Sequence, residues 1–263
     1  MQTNIIHNVE CAEGMRQHIP DESIDLVVTS PPYDNLRSYN GYSFNFEEIA
    51  QELWRVIKPG GVVVWVVGDA TIKGSETGTS FRQALYFKEL GFNLHDTMIY
   101  QKKNPLPLQH NRYQPCFEYM FVFSKGKPKT FNPITVATVS PDAKITTTKR
   151  GVDGVKVNGS GYGKKRNRTR IAYNVWTLNV GKGQTTKDDI AFQHPAIFPE
   201  QLANDHIISW SNPGDIVLDP FMGSGTTAKM ALLNRRKYIG FEMSAEYCEI
   251  AEKRASSVQA PAT

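Results

Sequence analysis

The chain has 263 residues, of which 40% are hydrophobic and 11% aromatic, and it carries a formal net charge of +4. Its length allows one full hydrophobic core, so we expect one globular domain with an insertion. No apolar run approaches the ~20 residues that a membrane-spanning helix requires, which argues against a membrane protein.

The cysteines and the first residues suggest where the protein works. Cys11, Cys116 and Cys248 are an odd set without CxxC spacing. We expect reduced thiols, and neither a metal site nor a disulfide. The first residues lack the basic and apolar regions of a secretory signal, so a cytoplasmic location is expected.

Strand-like and helix-like segments alternate over the first 125 residues and again after 190. The predicted strands are 4–7, 24–29, 62–67, 94–101, 118–123, 215–218 and 237–242. The predicted helices are 11–18, 46–57, 80–90, 199–209, a helix that ends at 233, and 245–254. This alternation predicts an α/β fold with a mostly parallel sheet and helices on both faces.

The first chemical motif is Ser30-Pro31-Pro32-Tyr33, which directly follows the predicted strand 24–29. Open α/β sheets bind their ligands at the carboxyl ends of strands. A hydroxyl, a rigidly held backbone carbonyl and an aromatic ring suit a flat base with an exocyclic amino group. Two prolines also simply end strands, and Tyr33 could be a core aromatic, so both interpretations remain open on these residues alone.

A glycine loop, Asp219 to Thr227, lies far downstream between a predicted strand and a helix. Its glycines let backbone amides approach a ligand. No lysine follows Gly225, which argues against a nucleoside-triphosphate loop. Asp219 and Glu242 end neighbouring predicted strands and are placed to bind a nucleoside with one small anionic group. The alternatives are a helix cap for Asp219 and a surface acid for Glu242.

The alternating pattern fails between about 125 and 185, where polar and basic residues dominate. From Lys144 to Arg170, nine Lys or Arg residues stand against one acid, Asp153. The densest part contains Lys164, Lys165, Arg166, Arg168 and Arg170. A solvated loop is the alternative, but this excess favours a segment that binds nucleic-acid phosphates.

Together these motifs resemble those of the DNA amino-methyltransferases, which transfer methyl from S-adenosylmethionine to N4 of cytosine or N6 of adenine. Ser30 to Tyr33 match the catalytic motif, and Asp219 to Thr227 match the cofactor motif "DPFxGSGTT" at each fixed position. The segment from His194 to Pro199, with Leu202, resembles a further cofactor motif. The catalytic motif comes first, which is the permuted order of the family's beta class.

The resemblance implies a Rossmann-like, doubly wound, mostly parallel sheet of seven strands. Residues 1–124 would form the catalytic half, 125–185 an inserted target-recognition segment, and 186–263 the cofactor-binding half. The target base would be flipped out of double-stranded DNA and held by Ser30, Pro31, Pro32 and Tyr33. A homodimer and a separate restriction endonuclease are the other expected partners.

The resemblance also implies which residues bind the cofactor and the DNA. The expected contacts to S-adenosylmethionine are Asp219, Pro220, Phe221, Gly223, Ser224, Gly225, Thr226, Glu242, His194, Pro195 and Glu10. The expected contacts to DNA are Lys164, Lys165, Arg166, Arg168 and Arg170. Ser30 at the first motif position favours N4 of cytosine. The alternatives are an N6-adenine enzyme and a DNA-binding module of this fold without activity.

Overall fold

The computed structural model describes residues 1–32, 44–105, 107 and 111–258, and its chain divides into two units. The larger unit, called the body here, comprises Met1–Asn132 and Asn174–Thr263. The smaller unit, called the basic unit, comprises Pro133–Tyr173.

The helices and strands follow in chain order. The helices are α1 (Cys11–His18), α2 (Phe46–Val56), α3 (Thr79–Glu89), α4 (Glu200–Trp210), α5 (Thr226–Leu233) and α6 (Ala245–Ser256), with a 3-10 helix over Asp189–Gln193. The strands are β1 (Ile5–His7), β2 (Ile24–Thr29), β3 (Ile57–Val67), β4 (Thr71–Ile72), β5 (Ser75–Glu76), β6 (Asn93–Lys102), β7 (Phe117–Ser124), β8 (Thr135–Ala137), β9 (Thr148–Arg150), β10 (Lys156–Asn158), β11 (Thr169–Ile171), β12 (Val175–Leu178), β13 (Ile216–Asp219) and β14 (Lys237–Phe241).

In the described part of the body, eight strands form the central sheet in the order β1-β14-β13-β2-β3-β7-β6-β12. Within it β7 alone runs antiparallel to its neighbours, so the predicted α/β class with a mostly parallel sheet is confirmed. The sheet has one strand more than the seven expected. The additional strand, β12, pairs in parallel with β6 at the edge.

The central strands β2, β3 and β13 are largely buried on both faces, as parallel strands usually are. Leu26, Val28 and Val64 belong to a core that includes residues of α4, α5 and α6. Val27 and Val63, one position along, belong to a second core that includes residues of α1, α2 and α3. This period of two places three helices on each face of the sheet.

The strand order reverses between β13 and β2. From β13 the chain continues to β14 on one side, whereas from β2 it continues to β3 on the other. Such a reversal opens a crevice beyond the carboxyl ends of the two strands, where open α/β sheets bind ligands. The motif at Ser30 follows β2, and the glycine loop follows β13, so both begin at this crevice.

The basic unit contains two short antiparallel pairs, β8 with β11 and β9 with β10, and a bridge between Lys144 and Lys165. The basic unit is shorter than the segment 125–185, because residues 125–132 and 174–185 belong to the body. In the described ranges of both units, no helix is long and apolar enough to cross a membrane.

Candidate active site

Two buried hydroxyls connect β2 with the glycine loop. Thr29 Oγ1 donates a hydrogen bond of 2.6 Å to Asp219 Oδ1. Thr227 Oγ1, in the first turn of α5, donates one of 3.1 Å to the backbone carbonyl of Val28. These bonds position the start of the Ser30 motif relative to the loop. Thr29 belongs to neither motif noted in the sequence, although a hydroxyl after the apolar run Leu26 to Val28 at the end of a strand was an available signal.

Asp219 is a buried carboxyl whose hydrogen bonding is incomplete. Its side chain is 1% exposed, and Oδ1 also accepts a hydrogen bond of 3.0 Å from the amide of Phe221. No described residue donates to Oδ2. Burial raises the pKa of Asp219 to about 6, although the Thr29 hydroxyl, the Phe221 amide and the Thr227 hydroxyl oppose the rise, and the nearby charge of Glu242 adds to it. The helix-cap alternative is not supported, since α5 begins after Gly225 without a side-chain cap.

The loop and the next strand end are joined through Glu242. Glu242 Oε2 accepts a hydrogen bond of 2.9 Å from the amide of Gly223, and Oε1 accepts one of 2.9 Å from the amide of Ser244. Burial raises the pKa of Glu242 despite these backbone donors. Glu242 is therefore a half-buried acid that shapes the loop, and the alternative of a surface acid is not supported.

The glycine loop lies against the last helix. Gly225 has φ +80°, and a Cβ there would lie 2.7 Å from the Cα of Ala251 in α6. Its neighbours Ser224 and Thr226 are buried, as is Pro220. Close packing and a left-handed backbone therefore require glycine at position 225.

Phe221 is half-buried and its ring faces Trp65 of β3. Its ring makes edge contacts with Phe44, at a centroid distance of 5.6 Å, and with Trp65, at 6.2 Å. Phe44 is the first described residue after the gap at 33–43. An aromatic contact thus joins the cofactor motif to the chain that follows the catalytic motif.

The segment at His194 and Pro195 lies beside the glycine loop, as its resemblance to a cofactor motif led us to expect. A Cβ on Gly223 would come within 3.0 Å of His194 Nε2. The His194 ring also contacts Tyr247 of α6 edge-on at 4.4 Å. His194 Nδ1 accepts a hydrogen bond of 3.1 Å from the amide of Ala196, and Pro195 is exposed.

The catalytic motif begins where β2 ends. Pro31 is buried, and Ser30 and Pro32 are half-buried, so the turn stays close to the crevice. Tyr33, the fourth residue of the motif, lies outside the described residues. Its expected stacking on a base stays a prediction.

Glu10 caps the N-terminus of α1. Its Oε2 accepts a hydrogen bond of 2.9 Å from the Glu13 amide, and its Oε1 accepts one of 3.1 Å from Cys11 Sγ. Burial favours the neutral carboxyl, but hydrogen bonds that include the amides of Ala12 and Glu13 lower its pKa overall. Glu10 follows β1, which neighbours β14. A contact with the cofactor adenine stays a prediction.

The basic residues singled out in the sequence belong to the basic unit. Lys164, Lys165 and Arg166 are exposed there. Arg168 lies 3.8 Å from Asp142, and the guanidinium of Arg170 lies 3.9 Å from the centroid of the Tyr173 ring. Four of the five basic side chains, including that of Arg168, are thus open to solvent, and Arg170 is half-buried against Tyr173.

The sequence model of a family described as DNA methylase matches residues 24–253. The orphan methyltransferase M.BamHII of Bacillus amyloliquefaciens is 62% identical over 246 residues, which are 91% of each chain.

Two solved structures share the fold. The cytosine-N4-specific PvuII DNA methyltransferase has a TM-score of 0.68 and 23% identity, covering 97% of this chain and 86% of its own. A DNA modification methylase of Thermus thermophilus, complexed with S-adenosyl-L-methionine, has a TM-score of 0.61 and 24% identity, covering 95% and 94%. By the family match and the likeness to M.BamHII, the chain belongs to the N6/N4 family of DNA methylases, which are S-adenosylmethionine-dependent DNA amino-methyltransferases.

Proposed function

We propose that this enzyme methylates N4 of cytosine at a specific sequence in double-stranded DNA. The observation that carries the proposal is the hydrogen bond from Thr29 to Asp219, which holds the strand end before Ser30 beside the glycine loop. Serine at the first motif position supports cytosine as the target. The PvuII enzyme, whose fold is shared, is itself named cytosine-N4-specific.

The residues around the loop fit S-adenosylmethionine, which supplies an electrophilic methyl group on a cationic sulfur. Asp219 Oδ2, buried and without a donor among the described residues, can accept an N–H or O–H from the cofactor. Glu242, at the end of the next strand, is placed for the ribose hydroxyls. The proposed contacts also include Pro220, Phe221, Gly223, Ser224, Gly225, Thr226, His194, Pro195 and Glu10.

In this proposal Ser30 and its neighbours hold the flipped base. The Ser30 hydroxyl and the Pro31 carbonyl accept the two N–H bonds of the exocyclic amine, while Pro32 stiffens the turn and Tyr33 stacks on the ring. These bonds draw the nitrogen lone pair out of conjugation with the ring and aim it at the methyl group. Alignment of the reacting atoms is then the main source of rate acceleration.

The basic unit supplies target recognition in this proposal. Its exposed cations, Lys164, Lys165 and Arg166, bind phosphates, as do Arg168 and Arg170. Phosphate contacts position a protein on DNA, whereas base-edge contacts specify the sequence. We therefore assign sequence reading to other side chains of the same unit.

The expected protein partners and location are also proposals. We propose that two copies associate when they act on DNA, which sedimentation in the presence and absence of DNA tests. A separate restriction endonuclease stays a prediction from the resemblance, and the 62% identical relative is itself named an orphan methyltransferase. We propose that the enzyme works in the cytoplasm.

The decisive experiment identifies the methylated base. DNA of mixed sequence is incubated with the enzyme and labelled S-adenosylmethionine, digested to nucleosides and analysed by mass spectrometry. We expect N4-methylcytosine. N6-methyladenine without N4-methylcytosine would overturn the assignment of the base. No label in DNA across diverse sequences would favour the alternative of a DNA-binding module without activity.

Replacing Ser30 tests the proposed division of roles. Ser30→Ala removes one acceptor for the amine, and we expect methyl transfer to fall on the order of 10²–10³-fold, as when a polar contact to a transition state is removed. Cofactor affinity, measured by calorimetry, should stay unchanged. Ser23→Ala is the matched control, because Ser23 lies just before β2 at its other end and donates to the Pro20 carbonyl. Lost cofactor binding in Ser30→Ala would contradict these roles.

A further inference from the structure

Arg254, in α6, is a buried cation that contacts the glycine loop. Its side chain is 1% exposed. Nη1 donates a hydrogen bond of 2.7 Å to the backbone carbonyl of Ser224 and lies 3.2 Å from Thr226 Oγ1. The remaining donors pair with carboxylates: Nε lies 3.0 Å from Asp188 Oδ2, and Nη2 lies 2.7 Å from Glu200 Oε1.

A second cation completes this group. Lys229 of α5 lies 2.7 Å from the same oxygen of Asp188 and 2.8 Å from the same oxygen of Glu200. Thr186 donates a hydrogen bond of 2.7 Å to that Glu200 oxygen. Burial opposes ionisation of Asp188, but Lys229 and Arg254 lower its pKa overall. Two cations and two carboxylates thus form a neutral, hydrogen-bonded charge cluster.

The carboxylates of Asp188 and Glu200 lie at the two ends of the segment that contains His194. Asp188 directly precedes the 3-10 helix Asp189–Gln193, and Glu200 is the first residue of α4. The His194 ring, between them, lies against Gly223 and Tyr247. The Arg254 guanidinium therefore connects both ends of the segment 188–200 to the glycine loop. The middle of that segment, at His194, contacts the same loop.

Simple stabilisation does not explain such a cluster. A buried ion pair is often no more stabilising than apolar residues of the same volume, because both charges lose their hydration. A guanidinium instead forms hydrogen bonds in defined directions, because its N–H donors lie in one rigid plane. The planar Arg254 side chain can hold the Ser224 carbonyl and the two carboxylates at defined positions relative to one another.

We propose that Arg254 is a positioning residue for the cofactor, which holds the segment 188–200 against the glycine loop. It does so by bonding the Ser224 carbonyl together with Asp188 and Glu200. The inference rests on the proposed function in one respect, namely that the glycine loop and His194 bind S-adenosylmethionine. Arg254 itself is enclosed by the loop and α6 and touches no reacting atom in this proposal.

The proposal predicts a specific kinetic pattern. In Arg254→Met the carboxylates keep Lys229 as their remaining cation in the cluster, and the Ser224 carbonyl loses the hydrogen bond from Arg254. The segment 188–200 should then open more often, so cofactor should bind about tenfold more weakly or worse, with kcat at saturating cofactor changed by less than about threefold. Arg254→Lys keeps the charge without the planar donors and should be intermediate.

The experiment compares these variants with Arg55→Met. Arg55 lies in α2 and also joins two carboxylates, Asp21 and Glu52, to two backbone carbonyls, but it packs with the helices on the other face of the sheet. Each variant is measured by calorimetry with S-adenosylmethionine, by steady-state kinetics, and by hydrogen exchange without cofactor. We expect faster exchange at 188–200 and 220–226 only in the Arg254 variants, whereas Arg55→Met should lower thermal stability and leave cofactor affinity unchanged.

Two results would overturn the proposal. One is an Arg254→Met enzyme that loses thermal stability as Arg55→Met does, yet keeps wild-type cofactor affinity and exchange. The other result applies if Arg254→Met does not fold. In that case Asp188→Asn, which removes one charge and keeps the shape of the side chain, should still speed hydrogen exchange at 188–200. Unchanged exchange in Asp188→Asn would contradict the positioning role of Arg254. A wild-type enzyme that binds no S-adenosylmethionine would refute the proposed function instead, while the exchange measurement would still test whether Arg254 holds the segment.

Discussion

At the scale of single residues, Asp219 and Glu242 form the chemically distinctive pair of the site. Both are acids withdrawn from solvent at neighbouring strand ends, and neither forms an ion pair with a described residue. Burial raises both pKa values, because a charge without a counter-ion is unfavourable in a low-dielectric interior. A cationic ligand placed here would supply the missing positive charge.

This predicts a pH dependence of cofactor binding. The pKa of Asp219 is about 6 without ligand, so the carboxyl is largely protonated at pH 5. A cationic cofactor favours the carboxylate, and binding should therefore release a proton and weaken as pH falls below 6, by up to about tenfold per pH unit. Calorimetry in buffers of different ionisation enthalpy measures the released proton. Asp219→Asn should reduce the pH dependence and leave only the part that comes from Glu242, and a wild-type affinity independent of pH between 5 and 8 would contradict the prediction.

The raised pKa of Asp219 also makes the stability of the protein without cofactor depend on pH. Through this carboxyl, low pH favours the folded protein, whereas it weakens cofactor binding. Because the folded pKa of Asp219 lies above its ordinary value of 3.8, the carboxyl contributes stability that is fully present below that value. This contribution is lost as pH rises through about 6. Without cofactor, Asp219→Asn should therefore be at least as stable as wild type at pH 7 to 8, which urea unfolding can check.

At the scale of elements, the site depends on how the glycine loop lies between β13, α5 and α6. The loop is held to β14 by the bond from Gly223 to Glu242 and to α6 by the contact of Gly225 with Ala251. The carbonyl of Ser224, between the two glycines, is bonded by Arg254. The loop therefore cannot move without disturbing the last helix, which lies outside every motif noted in the sequence.

Two glycine substitutions separate backbone strain from this packing. Gly225 and Gly214 both have positive φ, +80° and +93°, but a Cβ at Gly214 meets nothing within 4 Å. Gly214→Ala should cost only the left-handed strain, about 1–2 kcal/mol. Gly225→Ala should cost roughly 1–3 kcal/mol more, because the new methyl group overlaps α6, and should also weaken cofactor binding. Equal losses in urea unfolding for the two variants would show that the loop has more room than the structure indicates.

At the scale of the whole molecule, positive charge is concentrated in one unit. The chain has a net charge of +4, and the stretch from Lys144 to Arg170 alone holds nine basic residues and one acid. Electrostatic attraction of this kind binds DNA without regard to sequence and weakens steeply with salt, because bound counter-ions are released. The basic unit should therefore account for much of the salt dependence of DNA binding.

Neutralising two of its cations tests that assignment. Lys164→Gln with Lys165→Gln should weaken DNA binding and reduce the slope of log K against log salt by up to ~0.9 for each phosphate that is no longer neutralised. Lys88→Gln with Lys237→Gln is the control with the same change in charge, since these exposed lysines lie near the amino ends of β6 and β14. Fluorescence anisotropy over a salt series gives both slopes. Equal slopes in the two double variants would mean that Lys164 and Lys165 do not contact phosphates.

Much of the fold was predictable because its signals are local. The predicted bounds 24–29 and 11–18 coincide with β2 and α1, since apolar runs, helical spacing and turn residues all act within a few positions. The strand β12 was missed for the opposite reason. Its residues alternate between exposed and buried within a polar stretch, and its partner β6 lies more than 70 residues earlier in the chain.

The alternation of strands and helices, the two motifs, their permuted order and the concentration of basic residues can all be read from the chain without a structure. Only the tertiary structure showed that Thr29 bonds Asp219 across 190 residues and that Arg254 bonds Asp188 across 66. Contacts of that kind follow from the pairing of β13 with β2 and from the packing of α6, and they leave no periodic trace along the chain. The motifs identify the chemistry, whereas the residues that hold the motifs in place emerge only once the sheet has formed.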